Sequence, residues 1–184
     1  MKHTRFESTR TIPSDRTNDQ SQTPLYTEEQ RKRRDDSIWT LVQGILAPVQ
    51  FLVFLVSLAL VWRFLATGDG YLAATSSIVI KTLVLYAIMI TGSIWEKDVF
   101  GKYLFAPAFF WEDAVSMIVL ALHTAYLLAW YYGLLDARGQ MLLALAAYSS
   151  YVINAGQFLY KLRAARLDAG LAGPDSRHLP EPGR

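Results

Sequence analysis

Apolar residues arrive in four long blocks, each closed by a short polar break, and the polar residues gather before the first block and after the last. The blocks cover residues 38–65, 72–95, 107–132 and 140–160. Each reaches the ~20 residues that an α-helix needs to cross a hydrocarbon core of about 30 Å. The pattern predicts an all-α polytopic membrane protein, a bundle of four transmembrane helices over residues 37–163. The first block is long enough to tilt, or to bend at Pro48, whose ring leaves a carbonyl without its helical donor. Thr67-Gly68-Asp69-Gly70 and residues 133–139 read as tight turns, and residues 96–106 as a longer link of mixed charge.

Outside the blocks the expectation is different. Residues 1–36 form a polar, mostly disordered tail with too little apolar surface to offset the entropy of ordering, and residues 164–184 a second disordered tail. One short helix is expected in the first tail. Thr27 can cap it, and Gln30 stands three residues on, where a capping box places its second member. No apolar stretch precedes residue 38, so no secretory signal peptide is read there.

Charge orients the blocks. Eight Lys or Arg precede the first, Lys97 and Lys102 lie in the middle link, and Lys161, Arg163 and Arg166 follow the fourth, against only Arg63 and Arg138 on the other side. Lys and Arg are retained on the cytoplasmic side, so both termini and the middle link are expected there. A net charge of +2 adds little. Hydrophobic residues make up 52% of the chain, too much for a soluble domain once the tails are set aside, and many of its five Trp and ten Tyr sit near block ends, where amphipathic rings settle at a bilayer interface. The chain has no cysteine, which excludes disulfides, thiolate metal sites, iron–sulfur clusters and a cysteine nucleophile. No phosphate-binding glycine loop, zinc-type His/Glu spacing, serine elbow or histidine pair for haem occurs.

Polar side chains inside the blocks are costly in lipid, so they mark either sites or contacts between helices. Lys81 lies midway along the second block, and either pairs structurally or binds substrate. Glu112 and Asp113 open the third, where acids also complement a helix dipole. Glu112 and His123 are eleven residues apart, nearly in phase and about 16 Å apart along the axis, with Ser116 and Val119 between them. Glu96 closes the second block within an interfacial cluster with Lys97 and Asp98; Asn154 and Gln157 in the fourth, and Gln43 and Gln50 in the first, are amides of the kind that bond helix to helix. Glu96, Glu112 and Asp113 gather at the boundary expected to face the cytoplasm, which suggests a cavity opening there.

Four segments carry a resemblance. Residues 37–48 (SIWTLVQGILAP), 94–101 (IWEKDVFG), 104–113 (LFAPAFFWED) and 151–158 (YVINAGQF) closely resemble the 3-vinyl bacteriochlorophyllide hydratases, also called 2-vinyl bacteriochlorophyllide hydratases, of phototrophic bacteria. The similarity runs from about Leu25 to Arg166. It implies a hydro-lyase of bacteriochlorophyll biosynthesis in the bacterial inner or intracytoplasmic photosynthetic membrane. Such an enzyme adds water to the C3 vinyl group of a chlorophyllide-type macrocycle, giving a 1-hydroxyethyl group. The implied partners are the chlorophyllide or bacteriochlorophyllide substrate, the lipid bilayer and other enzymes of the pathway, with no nucleic acid. No cofactor or metal site is implied, the magnesium being part of the substrate.

Roles then follow from the chemistry. Protonation of the terminal vinyl carbon comes first, because the resulting cation is delocalised into the macrocycle, so a general acid and a group that orients water are required. Glu112 or Glu96, then Asp113, are the candidate acids, with His123 or the remaining carboxylate on the water. Trp95, Trp111, Phe109 and Phe110 are candidates to stack on the macrocycle. Asn154 and Gln157 would reach its substituents or, through water, its magnesium, and Lys97 or Lys102 its propionate; Lys81 is a further substrate-binding candidate. A non-catalytic tetrapyrrole carrier or pigment assembly factor would use the same pocket. A small proton-coupled transporter fits less well, since the first block contains no acid.

Overall fold

The computed structural model describes residues 25–171, so the expectations for residues 1–24 and 172–184 lie outside the described residues. Within them the chain is all-α: α1 (Glu28–Asp36), α2 (Ile38–Thr67), α3 (Tyr71–Phe100), α4 (Phe110–Tyr131) and α5 (Ala137–Leu171). Four of these, α2, α3, α4 and α5 as far as Ala164, are long and apolar enough to cross a membrane.

The helix boundaries have local causes. The Thr27 hydroxyl accepts from the Gln30 N–H at 3.2 Å and the Gln30 side chain accepts from the Thr27 N–H at 3.0 Å, which completes the capping box of α1. Extended backbone at Ser37 ends α1, and the Ser37 hydroxyl caps α2 by accepting from Trp39 N–H. Gly68 and Gly70 take positive φ (79° and 87°), which lets α2 stop and α3 start within three residues. The second membrane helix runs a turn beyond the expected 95, to Phe100, before Gly101 (φ 79°) closes it, so Glu96 sits inside a helix and not in the link. The third starts at Phe110, three residues after the expected 107. The fourth begins at Ala137 and continues helically to Leu171, past the expected edge at 160 and into the segment read as a disordered tail.

The four long helices alternate in direction. α2 packs along α3 and α4 along α5, α2–α5 and α3–α4 contacts close the bundle, and α1 lies against α3. One end therefore gathers the starts of α2 and α4, the end of α3 and the later part of α5; it is called the termini end below. The distribution of polarity is the reverse of a soluble protein's. Ile38, Leu41, Ile45, Leu52, Val56, Leu72, Ile118 and Ile153 face outward, whereas Gln50, Ser57, Lys81, Glu96, Asp113, Ser116 and His123 are buried. Lipid accepts the former, and only other helices can satisfy the latter. Two buried apolar clusters frame them. Phe54, Val61, Ile78, Tyr126, Met141 and Tyr148 pack in the far half, and Tyr26, Val99 and Phe109 at the termini end.

Candidate active site

Three acids meet at the termini end, and the loop between α3 and α4 sorts them. Glu112 and Asp113 lie in the first turn of α4, where free N–H groups and the helix dipole favour anions. The loop folds back over them. Phe105 N–H donates to Asp113 Oδ2 at 2.7 Å, and Ala106 N–H donates to Glu96 Oε2 at 3.3 Å. Phe105 does this with φ at 58°, in the left-handed region that a phenylalanine rarely adopts. The Glu96 and Asp113 carboxyls are thereby held side by side on consecutive amides of the loop. Glu112 turns the other way, to an ion pair with Lys161 Nζ of α5 at 2.7 Å. The three acids are thus a carboxyl pair on backbone amides and, beside it, a carboxylate bound to a lysine.

Aromatic side chains close over this end unevenly. Phe109, the N-cap of α4, is buried between Trp95 and Phe100, stacks on Phe158 (6.0 Å, 21°), and carries the Lys161 ammonium 4.8 Å from its ring centroid. Trp95 donates its indole N–H to Thr40 Oγ1 at 2.9 Å, which fixes the ring. Tyr26, from the strap before α1, stacks on Phe100 (5.7 Å, 19°) and is covered by Arg34 at 4.9 Å. Burial pushes its hydroxyl above the ordinary phenol range, although Arg34 pulls the other way. Phe110 and Trp111 stand apart from this cluster; both are exposed on the outer surface, Trp111 by 73%. Lys97 donates to the Gly101 carbonyl at 3.2 Å and lies over Tyr103, and Lys102 is exposed on the loop.

Deeper in the bundle is a second polar group. His123 Nδ1 donates to the Val119 carbonyl at 2.8 Å, which leaves Nε2 to accept from Lys81 Nζ at 2.7 Å. Lys81 is fully buried between the rings of Tyr151 (4.4 Å) and Tyr148 (5.1 Å). The Ser57 hydroxyl bonds both the Tyr148 hydroxyl and the Ser77 hydroxyl. Between this group and the acids, Asn154 Nδ2 donates to Ser116 Oγ at 2.8 Å. The α4 face of Glu112, Ser116, Val119 and His123 does turn inward as one buried stripe. Among the described residues no three acids or histidines form a cluster fit for a metal ion.

The structure therefore brings Glu96, Glu112, Asp113, Trp95 and Phe109 together, sets Asn154 and Gln157 one to two turns deeper, and puts His123 and Lys81 deeper still. Phe110, Trp111, Lys97 and Lys102 lie on the periphery. Lys161, Phe158, Thr40 and Tyr26 were not among the sequence-derived candidates. Lys161 was the most accessible of them, since it is seven residues, or two turns, from Asn154. Two surface grooves are lined by none of the three acids. One, of about 370 Å³, is lined by Arg33, Asp36, Ser37 and Asp98; the other, of about 260 Å³, by Leu52, Val53, Val56, Ser77 and Ile80.

Comparison with known proteins bears on this arrangement. Residues 26–164 match the sequence model of the 2-vinyl bacteriochlorophyllide hydratase family. A 2-vinyl bacteriochlorophyllide hydratase of Cereibacter sphaeroides is 70% identical over 145 residues, which are 78% of this chain and 89% of that protein. One of Rhodobacter capsulatus is 69% identical over 149 residues, 81% of this chain and 86% of its own length. No solved structure matches the chain. With every membrane helix and every acid of the site inside the matched residues, the chain belongs to the 2-vinyl bacteriochlorophyllide hydratase family.

Proposed function

We propose that this multi-pass membrane enzyme is a hydro-lyase that adds water to the vinyl group at C3 of a chlorophyllide or bacteriochlorophyllide macrocycle in bacteriochlorophyll biosynthesis. The names of its relatives supply the reaction and substrate class. The observation that carries the mechanism is the Glu96–Asp113 carboxyl pair beneath the Phe105 and Ala106 amides. Two carboxyls held side by side on neighbouring amides and away from water do not both stay ionised, so one keeps a proton, and that proton is the one the alkene needs. Transfer to the terminal CH2 makes a methyl group and leaves a cation on the ring-attached carbon, delocalised into the macrocycle. Water adds there through oxygen and returns its extra proton to the pair, so the net change is one water added and the acid restored. Glu112 does not share this role: it is held by Lys161.

Trp95 is the ring on which the macrocycle stacks, Phe109 backs it edge-on, and Tyr26 forms the lid that substrate displaces. Lys161, with Lys97 and Lys102 nearer the rim, supplies cations for the propionate. No redox step occurs and no resident cofactor is assigned; the magnesium comes with the substrate. The reading sets the chain in a bacterial inner membrane, and the Lys and Arg bias supports a termini end that faces the cytoplasm, open to other enzymes of the pathway.

The test is purified protein in detergent with 3-vinyl substrate in heavy-oxygen water. Label in a new hydroxyethyl group is the expected result, with loss of turnover in Glu96→Gln and Asp113→Asn. Tight pigment binding without product would indicate a carrier, and wild-type rates in both variants would remove the pair from the mechanism.

A further inference from the structure

The interior between the acids and the Lys81–His123 pair contains polar atoms that no protein group satisfies. Both amide atoms of Gln50, Asn154 Oδ1 and Gln157 Oε1 are buried without a hydrogen-bond partner. Gln50 is 2% exposed. Buried polar atoms are almost always paired, with protein or with ordered water, because leaving one bare costs about 1–3 kcal/mol. Four such atoms in one region of a lipid-embedded bundle point to an occupant that is small, polar and able both to donate and to accept.

Helix register brings these atoms to adjoining levels. Gln43 bonds Thr91 and Ser57 bonds Ser77, so Gln50, seven residues from each, stands opposite residue 84 of α3, about one turn from Lys81. On α5, Phe54 packs on Tyr151 and Ser57 bonds Tyr148; one further turn of α2 back to Gln50 is matched by one further turn of α5 on to Asn154. Asn154 in turn bonds Ser116. Gln157 lies between Asn154 and Lys161 on the same helix, one turn from each, beside the α4 turn that carries Glu112 and Asp113. The unsatisfied atoms follow one another from the buried ammonium of Lys81 to the acids.

We infer that Gln50, Asn154 and Gln157 hold a row of ordered water molecules running from Lys81–His123 to Glu112–Lys161, and that this row supplies the water added to the vinyl group. The inference rests on the hydratase reading for its purpose, and on geometry for its place. Gln50 has one donor group and one acceptor, Asn154 Oδ1 and Gln157 Oε1 accept, and Lys81 retains N–H donors that His123 does not use, so each water finds the two to four partners it needs. The row ends beside the Glu96–Asp113 pair, where the cation would be attacked.

The experiment uses the full chain in lipid nanodiscs. X-ray radiolysis makes hydroxyl radicals from bound water and marks the side chains beside it, here Tyr151 and Phe54. Both should be modified about tenfold faster than lipid-facing Phe51 and Leu52, as ordered water demands. Gln50→Met then removes the amide at nearly constant shape, and because no protein group bonds that amide, a purely structural role predicts no loss of function. The water role predicts a fall of about tenfold in kcat, little change in affinity for the vinyl substrate, and loss of the Tyr151 label. Unlabelled Tyr151 and Phe54 in the wild type, or full turnover in folded Gln50→Met, overturns the inference. Wild-type protein that is labelled but makes no hydroxyethyl product overturns instead the hydratase reading, and with it the purpose given to the row.

Discussion

Lys81 and His123 share a hydrogen bond of 2.7 Å in the middle of the bundle, and among the described residues no carboxylate forms an ion pair with this lysine. Among the described protein groups its positive charge meets an imidazole nitrogen and two tyrosine faces. Because a stranded charge costs more than a stranded neutral acceptor, the two partners should not be equivalent. His123→Phe leaves the ammonium on its aromatic faces and should destabilise by about 3–5 kcal/mol; Lys81→Met leaves only a neutral nitrogen and should cost about 1–3 kcal/mol. Thermal unfolding in detergent would show it, and equal losses would contradict the description of the pair.

The Glu112–Lys161 bridge yields a second prediction. Both side chains are mostly buried, with 11% and 24% of their surface exposed, so the bond is little screened. Glu112→Gln and Lys161→Met each remove one partner and leave the other unpaired. The double variant should be more stable than the two single losses added together, with a coupling of about 1.5–3 kcal/mol. A coupling near zero would mean that the bridge is not populated in the membrane.

A third concerns Phe105, whose left-handed backbone aims its N–H at Asp113. A β-branched residue resists that conformation, so Phe105→Val should cost about 1–3 kcal/mol and withdraw the amide from the carboxyl, lowering turnover. Phe105→Gly accepts the conformation and should retain far more activity, although it loses the packing on Phe110. Comparable rates for the two would show that the backbone angle does not matter.

Much of this was legible in the residues, though unevenly. Four spans, the Thr27 cap and the inward face of Glu112, Ser116 and His123 follow from helical spacing, and all three recur in the structure. The sorting of the aromatics does not. In a soluble helix the period of apolar residues separates inside from outside, but here the outside is apolar too, so Phe109, Phe110 and Trp111 look alike in sequence and part company only through helix phase. The Lys161 contact depends on α5 remaining helical beyond the hydrophobic block, and the amides over the acids depend on a loop whose turn is set by Gly101 and Phe105. Neither leaves a mark on periodicity.

Tyr26 gives a pH prediction. Burial raises its folded value above the ordinary 10.0, so the neutral phenol is what the strap accommodates. Its contribution is fully present below that ordinary value and is lost as pH rises towards the folded one, since the released strap ionises first. Trp95 fluorescence, reporting on the neighbouring cluster, should change as the pH rises above the ordinary phenol value of 10.0 in the wild type and not in Tyr26→Phe. An identical response in both would assign the change to another group.

The bonds Thr40–Trp95, Gln43–Thr91 and Ser57–Ser77 tie α2 to α3 at three successive heights, and Glu112–Lys161 and Ser116–Asn154 do the same for α4 and α5. Such rungs act like the teeth of a ratchet. Sliding either helix along its neighbour by one turn would break a whole set of polar links at once inside a medium that offers no replacements. Motion within each helix pair is thereby discouraged, and since Lys81–His123 and Ser57–Tyr148 also lock the seam between the pairs deeper in the bundle, any opening that admits a large flat pigment falls to the strap and the α3–α4 loop at the termini end.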